Sequence, residues 1–527
     1  MDTDAAAWER HTVREEMAKH GLGEPRGSVE SLVSSEGEAL EHMDSESLGL
    51  GALQLQSRDE LLARRRRAFG ANLAILFPED PLVVEAGRGC HLFASAADAD
   101  RPERGYLDCI NNVSHVGHAN PRVAGAIAAQ LGQLNTNSRY LSPTHVAYAE
   151  ELLGTLPAPL SKLYLASSGS EANELALRVA RVAHAARGER RPMHVAVLDH
   201  AYHGHTNACM DLSPYKFYGP GGAGRPDYVH VLPCPDTYRG TGLDGGAAAR
   251  AAVAAARDAG ARIGAFFAES VVSCGGQFAP PPGWLRDAYA VFRAEGAVCV
   301  ADEVQAGFGR AGRAFWAFER HGVVPDAVSM GKPMGNGYPI SGLALRAELA
   351  ETFAAHGGDF FATHGGSNAA IAAGRAVLRE IRDQSLQRRA LEVGEACLEA
   401  LRALQRRFPG VVGDVRGEGL MIGVELVTRP DTKEPHPALA AALRAGCKRH
   451  HRVLINAEGP FGNVVKIKPP LCFSERDAER MVGAMRDQLG ALLATEEGAQ
   501  ELVAASKARV AELQRLREEK ERTRLIW

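Results

Sequence analysis

No apolar run among the 527 residues approaches the roughly 20 that a helix needs to cross a bilayer, and the N-terminus lacks a basic-then-apolar signal pattern. Charge of one sign is scarce as well. The formal net charge is −4, which argues against general affinity for nucleic acid or an anionic membrane surface. None of the nine cysteines stands in a CxxC pair, and their odd number fits reduced thiols in a cytosol-like compartment, with neither a disulfide framework nor a zinc site. The expectation is a cytoplasmic protein with no metal and with neither nucleic acid nor membrane as a partner. A mitochondrial location stays open, although an arginine-rich transit peptide is normally poor in acids and this N-terminus is not.

What is present is ordinary for a globular protein, with 45% apolar and 24% charged residues. The length exceeds one small core, so two packed regions with extensions are expected, at roughly 100–200 residues per domain. Residues 1–58 carry twelve acidic side chains against five basic ones and few aromatics, and read as a flexible acidic extension. In "RDELLARRRRAFG", Arg64–Arg67 belong to the solvated face of an amphipathic helix ended by Gly70, not to a nucleic-acid patch. Beyond it, "VVEAGRGCHLF" and "YLDCINN" read as two strands joined by a turn, so 59–125 is expected to contribute to a small domain.

Further on, helical stretches alternate with the short apolar runs "KLYLAS", "HVAVLD", "YVHVLP", "IGAFFAES", "AVCVADE" and "DAVSM". That alternation predicts an α/β fold, with a mostly parallel sheet flanked by helices in a large domain over 126–360. Residues 361–495 read as a long helix, then "VVGDVRGEGLMIGVEL" and "NVVKIKPPLCF" around another helix. They predict a smaller α+β domain built from N- and C-terminal segments. The tail, 496–527, is charged and helical, and its stripe of Val503, Val510, Leu513 and Leu516 is expected to pack on its own subunit.

The chemistry sits at strand ends, where open α/β sheets bind ligands. "SMGKPMGNGYPISG" places Lys332 among four glycines and two prolines where a strand gives way to a loop. "KLYLASSGSEAN" ends in Ser168, Gly169 and Ser170 and runs into a helix, which is either an anion site or an ordinary helix cap. "AVCVADE" drives into Asp302, a carboxylate that is either one arm of a structural ion pair or the partner of a cationic heterocycle. "IGAFFAES" ends in Glu269, and "VAVLDHAYHGHT" offers Tyr202, a flat aromatic able to stack on a ring, beside His203 and His205. A phosphate nest, a stacking aromatic, a carboxylate and a lysine together fit one ligand, pyridoxal 5′-phosphate.

The motifs "SGSEAN", "DHAYHGH", "DEVQAGFGR", "MGKPMGNG" and "VRGEGL" stand in an order that resembles class III, fold-type-I pyridoxal-phosphate enzymes from about Leu61 to Thr495. The resemblance implies that Lys332 is the Schiff-base lysine and that Asp302 pairs with the pyridine nitrogen. It places Gln305 at the ring hydroxyl, Ser168, Gly169 and Ser170 at the phosphate, and Tyr202 and Glu269 around the ring. Thr363, in "FFATHGGSN", is similar to a threonine that reaches the neighbouring subunit's phosphate, which implies a homodimer with its active site at the interface. The surrounding residues depart from the commoner "TFGGNP" form at His364 and at Ser367–Asn368.

Most members of this class are aminotransferases, but "LDCINNVSHVGH", "LNTNSRYL", "SPYKF", "PDTYRG", "ESVVSCGGQFAPPPGW" and "KIKPPLCF" resemble the phospho-lyases. The expected reaction removes phosphate from ethanolamine phosphate to leave acetaldehyde and ammonia. The alternatives are elimination from 5-phosphohydroxy-L-lysine and an ω-aminotransferase of alanine–glyoxylate type. A phosphorylated amine needs an anion anchor, and Arg139, Lys216 and Arg416 are the candidates, with Asn111, Asn112 and His115 lining the same pocket. Each of these six either binds substrate or makes a structural hydrogen bond.

Overall fold

The computed structural model describes residues 57–522, so all but the last two residues of the expected 1–58 extension lie outside the described residues. The chain forms two compact units, Met1–Pro81 and Leu82–Trp527. In the first, Ser57 caps the helix Arg58–Ala68 by accepting the Glu60 N–H at 3.2 Å. Asp59 and Glu60 lie at its start and Arg65, Arg66 and Arg67 at its end, as the helix dipole favours. The helix is present but not amphipathic in the expected sense, because none of its side chains is buried.

The second unit is organised by a seven-stranded sheet. Across the sheet the order is Leu160–Ala166, Ser341–Arg346, Ala327–Met330, Val298–Asp302, Arg262–Glu269, Met193–Leu198 and Val229–Leu232. All six apolar runs are strands. A seventh, Ser341–Arg346, was not among them, and it alone runs antiparallel to its neighbours. Its run "ISGLALR" follows a loop rich in glycine and proline, which masks the strand pattern.

Burial on both faces follows from the period of two. Phe266 and Ala268 pack with the helices Gly245–Asp258 and Trp284–Ala294, while Ala265, Phe267 and Val300 pack under Gly169–Ala186. Parallel register sets Glu269 opposite Asp302, and Asp302 opposite Ser329. Two acids thus reach the same end of the sheet, level with Ser329, which stands three residues before Lys332.

The expected two strands near residue 90 are three, Ala86–Arg88, His91–Phe93 and Tyr106–Asp108, because "GRGC" makes a tight turn inside the first run. Tyr106–Asp108 pairs in parallel with Val453–Leu454, so N- and C-terminal segments share one sheet. A second sheet holds Val412–Glu418, Met421–Arg429, Val464–Ile467 and Asn456–Glu458 in that order. The helix Glu496–Arg522 buries Ser506 and Val510, while Val503, Leu513 and Leu516 of the expected stripe are half-buried. Among the described residues no helix is long and apolar enough to cross a membrane.

Candidate functional site

A cavity of about 330 Å³ opens where the strands end. Ser168, Gly169, Ser170, Tyr202, Glu269, Asp302, Gln305 and Lys332 all line it. Asp302 is 4% exposed and accepts three hydrogen bonds, from Asn173 Nδ2 at 2.8 Å, His203 Nδ1 at 2.8 Å and the Val304 N–H at 3.0 Å. Among the described residues no arginine or lysine pairs with it. It is therefore not an arm of a structural Arg or Lys ion pair, and its charge is available to a cation in the cavity. His203, which the sequence offered only as a neighbour of Tyr202, fixes the orientation of this carboxylate.

Glu269 is buried and holds the neighbouring turn. Its carboxylate accepts the Tyr202 N–H at 3.0 Å, the Ser273 N–H at 3.1 Å and the Ser273 hydroxyl at 2.5 Å. Burial, reinforced by the charge of Asp302, pushes its carboxyl above the usual carboxylate range. The ring of Tyr202 meets Tyr215 edge-on, with centroids 5.9 Å apart, and Lys332 Nζ lies 6.0 Å from the Tyr202 centroid.

The glycine-serine turn divides its labour. Ser168 is the helix cap, accepting the Glu171 N–H at 3.2 Å and donating to the Glu171 carboxylate at 2.9 Å. Gly169 and Ser170 occupy the first turn, where N–H groups have no partner inside the helix. A Cβ on Gly169 would stand 2.7 Å from Val304 Cγ1, so only glycine lets strand end and helix start close together. Gly204, at φ 141°, is needed likewise, since its Cβ would meet Ser170 Oγ at 2.6 Å.

Gln305 donates to Ser273 Oγ at 2.6 Å and accepts from Asn112 Nδ2 at 3.3 Å and from Lys468 Nζ at 2.7 Å. Lys468 is a residue the sequence reading did not single out. It is fully buried, and burial, aided by the nearby Lys466, lowers its amine from 10.5 to about 7. A signal existed: "VVKIKPP" has two lysines at strand period in an apolar run, and among the described residues only Lys466 of the two has a carboxylate partner, Glu458.

Asn112 does not line the cavity, and neither do the remaining expected residues. Asn111 Nδ2 donates to Asp108 at 2.9 Å. His115 is buried with both ring nitrogens engaged, by the Phe308 carbonyl at 2.7 Å and Arg310 Nη2 at 3.1 Å, which leaves neither for a substrate. Arg139 is exposed, 4.0 Å over the Phe361 ring, and Thr363 is exposed on the loop before the helix Asn368–Asp383. Lys216 lies about as far from the Tyr202 ring (5.6 Å) as from the Tyr215 ring (5.5 Å) and lines an adjoining cleft of about 970 Å³. Arg416 is held by Asp414 at 2.8 Å, Glu425 at 2.7 Å and the Gly276 carbonyl at 2.8 Å, 3.8 Å over the Phe278 ring.

These surroundings fit pyridoxal 5′-phosphate. They offer a helix start with open N–H groups, a glycine floor, a buried carboxylate fixed by three donors, and a lysine amine at the same cavity. The aminotransferase class-III family matches residues 78–489. The chain is 41% identical to an alanine–glyoxylate aminotransferase 2-like protein of Drosophila melanogaster, over 85% of this chain and 90% of that one. It is 39% identical to ethanolamine-phosphate phospho-lyase homolog 1 of Caenorhabditis elegans, over 83% of this chain and 95% of that one. Among solved structures, a phospholyase from Arthrobacter in complex with phosphoethanolamine superposes with a TM-score of 0.74 and 36% identity, covering 82% of this chain and all of that one. With the site's geometry, these matches make the chain a member of the class-III aminotransferase family, a pyridoxal-phosphate enzyme of fold type I.

Proposed function

We propose that the protein is a phospho-lyase that converts ethanolamine phosphate and water to acetaldehyde, ammonia and phosphate. The observation that carries this reading is the contrast between two basic side chains. Arg416, one of the residues expected to anchor a substrate anion, is already neutralised by Asp414 and Glu425. Lys468 has Gln305 as its hydrogen-bond acceptor and no carboxylate partner among the described residues. A site with its arginine neutralised and a carboxylate-free lysine suits a phosphorylated amine better than an amino acid. The complex of the Arthrobacter relative with phosphoethanolamine and the phospho-lyase relative from Caenorhabditis elegans support the same choice.

When bound, pyridoxal 5′-phosphate supplies an electrophilic aldehyde for the substrate amine and a ring that accepts electrons from the neighbouring carbon. The chain's residues do the rest. Gly169 and Ser170 bind the cofactor phosphate through their N–H groups, and Tyr202 covers the ring face. Asp302 keeps the pyridine nitrogen protonated. Lys332 Nζ takes the proton from the substrate carbon bearing nitrogen. Phosphate then leaves the next carbon with the carbon–oxygen electron pair, and water releases acetaldehyde and ammonia without any change of overall oxidation state. Lys468 and Asn112 hold Gln305, which lines the cavity from which the phosphate departs. Thr363, exposed on its loop, reaches the cofactor phosphate of a second copy in a homodimer.

An aminotransferase is the second reading. It is favoured by Arg416 Nη2, a buried donor with no partner among the described residues, and by the Drosophila melanogaster relative. Purified protein incubated with ethanolamine phosphate and no oxo acid decides the matter, with 5-phosphohydroxylysine and an alanine–glyoxylate mixture run beside it. Equimolar phosphate and ammonia from the first is the expected result. Pyruvate and glycine from the last, with no phosphate from either phosphorylated amine, would sink the lyase reading.

A further inference from the structure

The family match ends at residue 489, yet the helix Glu496–Arg522 follows and is anchored at two points. The first anchor is Ser506. It is fully buried, its hydroxyl accepts the Ala438 N–H at 3.0 Å, and it lies 2.7 Å from His436 Nδ1. His436, the residue that begins the helix Pro437–His451, makes no side-chain cap of its own, so the cap comes from the C-terminal helix. The second anchor is Arg517, three turns further on, or about 16 Å at 1.5 Å per residue. Its Nη2 donates to Asp199 Oδ2 at 2.8 Å, and its guanidinium lies 4.6 Å over the Tyr218 ring.

Asp199 stands at the exit of the strand Met193–Leu198, where the chain turns into the cofactor site. Its other oxygen accepts the His200 N–H at 2.9 Å, and His200 is held at φ 63°, a conformation costly for a residue with a side chain. Tyr202 and His203 follow directly, and His203 Nδ1 reaches Asp302 at 2.8 Å. Asp199 is largely buried, and despite that burial the nearby His200 and Arg517 hold its carboxyl below the usual range. A carboxylate so placed loses stabilisation when the cation beside it is removed.

We propose that Arg517 is a positioning residue: acting through Asp199, it sets the turn that carries Tyr202 and His203, so the C-terminal helix tunes cofactor affinity and the electrostatics at Asp302. The proposal does not depend on which amine is the substrate.

The test uses full-length protein stripped of cofactor and titrated with pyridoxal 5′-phosphate. Arg517→Ala should weaken binding about tenfold, the scale of one lost charge-assisted hydrogen bond. It should also move the pH midpoint of the bound cofactor's visible absorbance, since His203 and Asp302 shift together. Arg517→Lys, which keeps the charge, should restore part of both effects, and the exposed neighbour variant Arg515→Ala should match the parent protein. Asp199→Asn combined with Arg517→Ala should bind no more weakly than the weaker single variant. The proposal is overturned if Arg517→Ala lowers only the melting temperature of the apoprotein, or if it leaves both affinity and pH midpoint unchanged. It also fails if the double variant shows the sum of the two single effects.

Discussion

Replacing Gly169 by alanine adds one methyl group at a tightly packed point of the proposed cofactor site. The new Cβ would lie 2.7 Å from Val304 Cγ1 and 3.0 Å from Val304 Cγ2, where ordinary contact begins near 3.4 Å. Val304 cannot simply rotate away. Its β-branched side chain is stiff, it is 8% exposed, and its N–H is tied to Asp302. Overpacking of this kind costs about 1–3 kcal/mol. In the apoprotein the strain is relieved by shifting Val304 into the cavity it lines, but a bound cofactor needs that space, so the cost falls on binding. The dissociation constant for pyridoxal 5′-phosphate should rise between about fivefold and about a hundredfold. Titration of apoprotein, followed by tryptophan fluorescence, measures it. Adding Val304→Ala removes the obstruction, so the double variant should recover part of the loss, a coupling that a double-mutant cycle isolates. Binding of Gly169→Ala within about twofold of the parent, or no recovery in the double variant, would refute the reasoning.

Two further outcomes follow from the same geometry. Borohydride treatment of the loaded protein and peptide mass analysis should locate the cofactor on the peptide containing Lys332, and Lys332→Ala should abolish that adduct; a label elsewhere would remove the basis of the reaction scheme. Lys468 has a lowered amine pKa in the folded protein, so folding releases its proton between about pH 7 and 10.5. The stability of the parent protein therefore rises with pH relative to Lys468→Met across that window, by up to about 1.4 kcal/mol per pH unit, and the difference is constant below about pH 7. Urea denaturation of both at about pH 7, 8 and 9 checks this, with parallel stabilities counting against a neutralised buried amine.

The parts of the site legible in the sequence are those where one residue announces a conflict. Asp302 and Glu269 end apolar strands, Gly169 and Ser170 open a helix, and Lys332 sits among glycines; each breaks a local pattern, and all line one cavity. What escaped depends on long-range packing. Lys468 looks like one of two alternating lysines until Gln305 is found 2.7 Å away across 163 positions of sequence. His115 reads as a polar pocket residue, but the fold buries it under Arg310 and Phe308. Arg416 carries a charge whose partners are visible nearby in sequence, Asp414 and Glu425, yet only the register of Val412–Glu418 against Met421–Arg429 brings all three together. The strand Ser341–Arg346 was hidden because an edge-ward antiparallel insertion has no signature in the alternation of helices and strands.

The rung on which Glu269 faces Asp302, with Ser329 next in line, bears on how such a molecule changes over generations. Side chains alternate faces with a period of two, so the level of these acids is fixed by ladder register and by no connecting segment. Lengthening or shortening a connection leaves the ring-binding floor where it was, while altering what an incoming amine encounters above it. The chemistry above the sheet can thus change by rewriting its rim over an untouched base.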